Sequence, residues 1–560
     1  MKNVSYLTIC LLIAFVCPVF AQNKQINNSH NGMVVCAYPD AAQAGLTILK
    51  KGGNAVDAAV AVQFALAVTF PEAGNIGGGG FIVYRRADGQ TSALDFREKA
   101  PAKASTNMFL DAQGNVVPGM SVSTHSASGV PGSVDGMVAI HKKYGKLTWA
   151  EDLQPAIDLA AKGFKITQNF ANDLNSSQSD FKKRNPGKTY FIKNTQWKAG
   201  DIMVQPDLAK TLRLIRDKGR NGFYSGIVAD EIVKEMKKGH GLISKQDLAG
   251  YHAVWRTPIT GYYKGYKVIT MPPPSSGGIA LLQLLKSVEN YPLHRWGYNQ
   301  DSTVQLMVEA ERRVYADRSK YLGDPDFYKV PVSQLLNPAY IQDRMKTFTW
   351  DAATPSTSIQ PGKIPGYEST QTTHYSIVDR DGNAISITTT LNGGFGSKIV
   401  VGGAGFCLNN EMDDFSAKPG TPNMYGLLGG EANSIQPNKR ILSSMTPTII
   451  EKNGKLFMVV GTPGGGTIIT SVFQTILNVL DFNQDMQQAV DSKRFHSQWL
   501  PDTVDVEPGA LSTRTLQILR KKGYNFKDFP PLGEVDAILK TRDGYEGGAD
   551  RRGDNTKLGW

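Results

Sequence analysis

Hydrophobic and polar positions alternate along this chain with two periods. Residues 41–51 carry apolar side chains at helical spacing and stop at Gly52-Gly53. Residues 55–68 are apolar nearly throughout, with Asn54 at the cap position. A helix apolar on every side belongs in a core layer. Further helices are predicted over 134–144, 208–216, 227–238, 279–288 and 467–480, with a long charged one over 303–318. Thr148 and Glu151 form a capping-box signal, and Pro155 predicts a helix that opens there and stops at Gly163. Strands are predicted over 81–84, 92–96 and 456–460. The clearest period of two runs over 372–379, followed by Asp379-Arg380-Asp381-Gly382-Asn383 and a second run over 384–390. That is a hairpin signal, with Gly382 free to take a positive φ. Centred near Asp381, the hairpin sets Thr372 opposite Thr390. The mixture places the chain in the α/β (α+β) class. Residues 351–371, rich in Pro, Ser, Thr and Gly, read as a flexible linker and are the one clear composition boundary.

Composition changes this picture little. Of 560 residues, 41% are hydrophobic and 20% charged, as in a globular protein. The net charge is +11, to which the first 21 residues contribute only Lys2. No long Lys/Arg block occurs, so the basic balance reads as solvated surface and not as a nucleic-acid footprint. Lys2, the apolar run 7–15 and Val19-Phe20-Ala21 read as a secretory signal over residues 1–21, predicting a periplasmic or secreted protein. Ala14-Phe15-Val16 fit a lipoprotein signal before Cys17 poorly. No segment reaches about 20 uninterrupted apolar residues, so stable membrane insertion is not expected. Cys10 and Cys17 fall in the signal; Cys36 and Cys407 are expected to be buried thiols.

Candidate chemistry narrows by elimination. The eight histidines are scattered, without His-Glu-x-x-His or Cys-x-x-Cys, so neither a metal nor another cofactor is expected. Gly132-Ser133-Val134-Asp135-Gly136 lacks the spacing of a nucleophile elbow, and nothing selects a glycosidase carboxylate pair. Gly77-Gly78-Gly79-Gly80 is no P-loop, because no Gly-Lys-Ser/Thr follows; it reads as a tight turn or a close approach to ligand. Arg97 ends a strand as a surface ion-pair former or a fork for a carboxylate. Gly464-Gly465-Gly466, between a strand and a helix, suits an oxyanion hole or structural packing. Tyr425 sits in a Pro/Gly loop over 418–430, a lid or an ordinary surface loop. His374 points to the opposite strand face from Thr373 and Tyr375 and reads as structural. A loose segment ending at a strand-initial threonine suggests a cut before Thr372. The freed α-amine, with a pKa of about 7.7–8.0, would be the base for its own hydroxyl.

Several motifs then resemble one family. Thr372-Thr373-His374-Tyr375-Ser376, Thr390-Leu391-Asn392, Asn409-Asn410-Glu411-Met412-Asp413-Asp414-Phe415, Ser443-Ser444-Met445-Thr446-Pro447 and Gly461-Thr462-Pro463-Gly464-Gly465 closely resemble the γ-glutamyltransferase (glutathione hydrolase) family. So do residues 71–80, Asp95-Phe96-Arg97-Glu98 and Arg494-Phe495-His496. The resemblance implies an N-terminal-nucleophile hydrolase, an αββα sandwich of two sheets between helical layers. It implies self-cleavage between Gln371 and Thr372 into a large subunit, 22–371, and a small subunit, 372–560, that stay together. Thr372 would be the nucleophile, with Thr390 supporting it and Gly464 and Gly465 giving the oxyanion N–H groups. Arg97, with Ser443 and Ser444, would take the α-carboxylate of a γ-glutamyl group; Asn392, Glu411 and Asp414 would hold its α-amine. Position 411 is Glu where some bacterial members carry Gln. Tyr425 resembles the lid that only some members have. The implied partners are glutathione and other γ-glutamyl compounds, with amino acids, dipeptides or water as acceptors. Rival readings are a related acylase for cephalosporin or poly-γ-glutamate amides, and a secreted binding protein without catalysis.

Overall fold

The computed structural model describes residues 28–187, 189–361, 372–418, 424 and 430–560. Two seven-stranded sheets lie at its centre. The first runs, in spatial order, Thr556–Gly559, Met33–Cys36, Thr373–Val378, Ala384–Thr390, Gly79–Arg85, Thr91–Asp95 and Val254–Arg256. The second runs Asn28–Ser29, Gly544–Ala549, Asp536–Thr541, Lys455–Gly461, Thr448–Lys452, Tyr266–Thr270 and Ile259–Tyr263. Neighbouring strands are antiparallel throughout both.

The strand period decides the layering. Along Thr373–Val378, Tyr375 and Ile377 join Ile385 and Ile387 beneath the helices Pro39–Lys50 and Ala55–Thr69. His374, Ser376 and Val378 face the other way; the Ser376 hydroxyl donates to the Asp536 carbonyl of the second sheet at 3.0 Å. Val35, Phe81, Val83 and Val378 share a core with Met458, Val460, Ile449 and the helices Gly277–Val288, Asp301–Tyr321 and Thr467–Leu480. The order is helices, sheet, sheet, helices: the αββα sandwich.

Local signals explain most boundaries. Asn54 and Asp57 form a reciprocal capping box on Ala55–Thr69, all fifteen residues of which are buried. The hairpin pairs Thr373 with Thr389 and Val378 with Ala384, the expected register, and Gly382 takes φ 89° in its turn. Cys36 and Cys407 are buried free thiols. Among the described residues no helix is long and apolar enough to cross a membrane.

Two expectations fail. Pro155 does not open a helix: the Thr148–Glu151 box starts Trp149–Lys162 earlier, and Pro155 lies inside it. Its missing N–H removes one intrahelical bond, which the rest of the helix absorbs. The described part of the linker, 351–361, is fastened and not loose. The Thr354 N–H donates to Glu309, that of Ser356 to Asp502, and the Trp499 indole to the carbonyls of Ser356 and Ile359.

Candidate active site

Thr372 stands immediately before Thr373–Val378 and is 8% exposed. Alternation turns its side chain to the face of His374, towards the second sheet. A Cβ on Gly461 would lie 2.3 Å from the His374 ring, so the end of Lys455–Gly461, which leads into the glycine turn, packs directly against that face. His374 is neutral: burial pushes it down to about 3, and its ring nitrogens meet the hydroxyls of Thr388 at 2.9 Å and Ser376 at 3.0 Å. It is a structural residue between the sheets.

Thr390 pairs with Gly79 one step beyond the Thr373–Thr389 pair, which sets it opposite Thr372. Its hydroxyl accepts from the Asn392 N–H at 2.7 Å and also bonds Glu411. Asn392 takes a left-handed φ of 72°, a conformation Asn tolerates better than most side chains. Its amide donates to the Asn410 carbonyl at 2.9 Å. The glycine turn serves backbone packing: a Cβ on Gly78 would lie 1.9 Å from the Thr390 carbonyl oxygen. Asn75 locks the same turn, donating to Thr390 O at 2.8 Å and accepting from the Gly78 N–H at 2.9 Å.

Glu411 and Asp414 occupy the two ends of a 3-10 turn, Glu411–Asp414, where residues three apart share a side. Arg97 lies against both: Nη1 is 2.7 Å from Glu411, Nη2 is 2.7 Å from Asp414, and Glu98 is 3.3 Å away. Nε and Nη2 also donate to the carbonyls of Ile441 and Leu442. Three buried carboxyls therefore surround one buried guanidinium. Burial raises the pKa of all three, and Glu411 repulsion adds to the rise of Glu98 and Asp414, while Arg97 opposes it. With all three ionised, the carboxylates exceed Arg97 by two charges, an excess that one further cation would halve.

Ser443 and Ser444 follow the carbonyls that Arg97 holds. The Ser444 hydroxyl accepts from Arg318 at 2.8 Å, and the Ser443 carbonyl accepts from the Ser276 N–H at 2.8 Å. Gly464 and Gly465 take positive φ values of 124° and 68° before Thr467–Leu480. The Gly464 carbonyl is anchored by the Thr467 hydroxyl at 2.6 Å. Among the described residues neither glycine N–H is spent on a backbone acceptor.

A cavity of about 350 Å³ brings Thr372, Asn392 and Gly464 to one space. Its lining also includes Glu72 and Glu534, which sequence reasoning missed. Burial, with Asp173 and Glu534 nearby, pushes Glu72 up to about 8. Arg318 and Ser276 were missed as well; the charged pattern of 303–318 was a signal, since arginine inside a packed helix demands partners. Gln371 and Tyr425 lie outside the described residues.

The chain matches the family model described as "Gamma-glutamyltranspeptidase" over residues 41–560. The chain belongs to the γ-glutamyltranspeptidase family. It is 49% identical over 520 residues to "Glutathione hydrolase proenzyme" of Escherichia coli (strain K12), covering 92% of this chain and 90% of that one. The solved γ-glutamyltranspeptidase of Helicobacter pylori is 50% identical, with a TM-score of 0.57 over 58% of this chain and 94% of that chain. The fold also matches a cephalosporin acylase from Bacillus halodurans, with a TM-score of 0.85 at 28% identity over 98% of this chain and 99% of that one. Family membership and the two stacked sheets establish the N-terminal-nucleophile fold and an enzyme.

Proposed function

We propose that this chain is a self-processing γ-glutamyltransferase and glutathione hydrolase with Thr372 as its nucleophile. The observation that carries the reading is the position of Thr372: immediately before the hairpin strand, opposite Thr390, and opening on a cavity shared with Asn392 and Gly464. In the precursor the Thr372 hydroxyl attacks the carbonyl of Gln371. The peptide C–N bond breaks as an ester forms, and water hydrolyses the ester, leaving a large subunit, 22–371, a small one, 372–560, and a free α-amine on Thr372.

In the processed enzyme that amine takes the hydroxyl proton, directly or through one water, as Thr372 attacks the γ-amide carbonyl of glutathione. The N–H groups of Gly464 and Gly465 stabilise the oxyanion, and the amine of cysteinylglycine leaves with a proton. Water, or the amine of an amino acid or dipeptide, resolves the γ-glutamyl ester. Arg97, backed by Ser443 and Ser444, takes the α-carboxylate. Asn392, Glu411 and Asp414 take the α-ammonium, whose charge offsets part of the acidic excess around Arg97. Residues 1–21 direct export to the periplasm or beyond.

The acylase reading draws on the fold shared with the cephalosporin acylase. Turnover of γ-glutamyl-p-nitroanilide against its glutaryl analogue, which lacks the amine, separates the two. A strong preference for the γ-glutamyl compound is expected; equal turnover would overturn the proposal.

A further inference from the structure

The outer helical layer holds a cluster that the proposed reaction does not use. Asp57 sits in the first turn of Ala55–Thr69, His141 in the last turn of Ser133–Tyr144, and Asp152 in the first turn of Trp149–Lys162. One ligand atom from each lies within 4.8 Å of the others. His141 Nε2 is 3.3 Å from Asp152 Oδ2, 3.8 Å from Asp57 Oδ1 and 3.1 Å from the Leu147 carbonyl oxygen. Both aspartate side chains are fully buried, and the imidazole is 15% exposed, leaving a path from solvent.

The two aspartates differ. Asp57 accepts the N–H groups of Asn54 and Lys146, both at 2.8 Å. Asp152 receives no backbone N–H among the described residues and has the His141 ring, 3.3 Å away, as its partner. A buried carboxylate left so is costly. A single proton on His141 Nε2 can point at only one of the three surrounding oxygens, whereas a cation among them is shared by all. Ligands about 2.0–2.2 Å from such a cation stand roughly 2.8–3.6 Å apart in octahedral or tetrahedral arrays. The 3.1 and 3.3 Å separations fall in that range, and the 3.8 Å of Asp57 makes it the loosest member.

We propose that Asp57, His141 and Asp152, with the Leu147 carbonyl, form a binding site for a divalent first-row cation of the zinc type that ties three helices of the outer layer together. Imidazole with carboxylate and carbonyl oxygens is a donor set for Zn²⁺ or Mn²⁺ and lacks the thiolates of a softer site. Binding to the folded chain alone raises its stability.

The test uses tag-free full-length protein, stripped with EDTA and titrated with ZnCl₂ and, separately, MnCl₂ by calorimetry, with metal content read by mass spectrometry after dialysis. One ion per chain is expected with at least one of the two metals, together with a higher unfolding temperature when it is bound. Asp152→Asn should weaken that binding at least tenfold and abolish the thermal shift. His141→Gln, at the half-open ligand, should do the same and decides the matter if the Asp152 variant does not fold. A wild type that retains neither metal, or variants that bind it with unchanged stoichiometry and affinity, would overturn the site.

Discussion

At the scale of single residues, the proposed seat of the γ-glutamyl head is a charge cluster. Arg97 touches Glu411 and Asp414 at 2.7 Å each, and Glu98 completes an acidic excess that a substrate ammonium would relieve. A charge-assisted hydrogen bond is worth about 1.5–3 kcal/mol, so Asp414→Asn should lower kcat/KM for γ-glutamyl-p-nitroanilide about 10- to 100-fold. The same substitution should change turnover of the glutaryl analogue little, because that compound brings no ammonium; equal losses on both compounds would show that Asp414 acts elsewhere. Arg97 at the end of a strand was legible as a fork for a carboxylate, whereas the roles of Glu411 and Asp414 came only from the family resemblance. The link from Ser444 to Arg318 was not legible, since only tertiary packing joins helix Asp301–Tyr321 to the 443–444 segment.

At the scale of elements, the hairpin was the most legible feature, because its period, its turn glycine and its register are all local. The fastening of 351–361 was not, because its polar composition conceals backbone bonds to distant Glu309 and Asp502. The hairpin also carries a pH dependence. His374 is held near 3 in the folded chain against an ordinary value of 6.5, and its cause is burial. A depressed folded value means stability that is complete above 6.5 and is lost as pH falls towards 3. At pH 5 the loss from His374 should be on the order of 2 kcal/mol, at about 1.36 kcal/mol per pH unit. His496, pushed down to about 4 by burial, adds to the same trend. Thermal unfolding at pH 7.5 and pH 5 should therefore show a larger drop for wild type than for His374→Gln. The carboxyls around Arg97 are common to both proteins and cancel in that difference. Equal drops would mean that His374 is not held neutral.

At the scale of the whole molecule, a cut before Thr372 would leave neither sheet to one fragment. Thr373–Val378 lies between Met33–Cys36 from the N-terminal part and its own hairpin partner, and Ala384–Thr390 is flanked by Gly79–Arg85. In the second sheet, Thr448–Lys452 pairs with Tyr266–Thr270. Separating the fragments would break central ladders and expose both cores. Processed protein should thus elute as one species on size exclusion under native conditions and resolve into two only in denaturant. Fragments that part without denaturant would contradict the composite sheets. Such composition could not be read from sequence before strand order was known, since partners stand hundreds of residues apart.

The central claim is the cut itself, and N-terminal sequencing of the smaller fragment tests it most directly. Wild type should give Thr372-Thr373-His374 as its first residues, and Thr372→Ala should remain a single chain. A fragment beginning elsewhere, an intact wild-type chain, or a Thr372→Ala variant cut at the same bond would contradict the account.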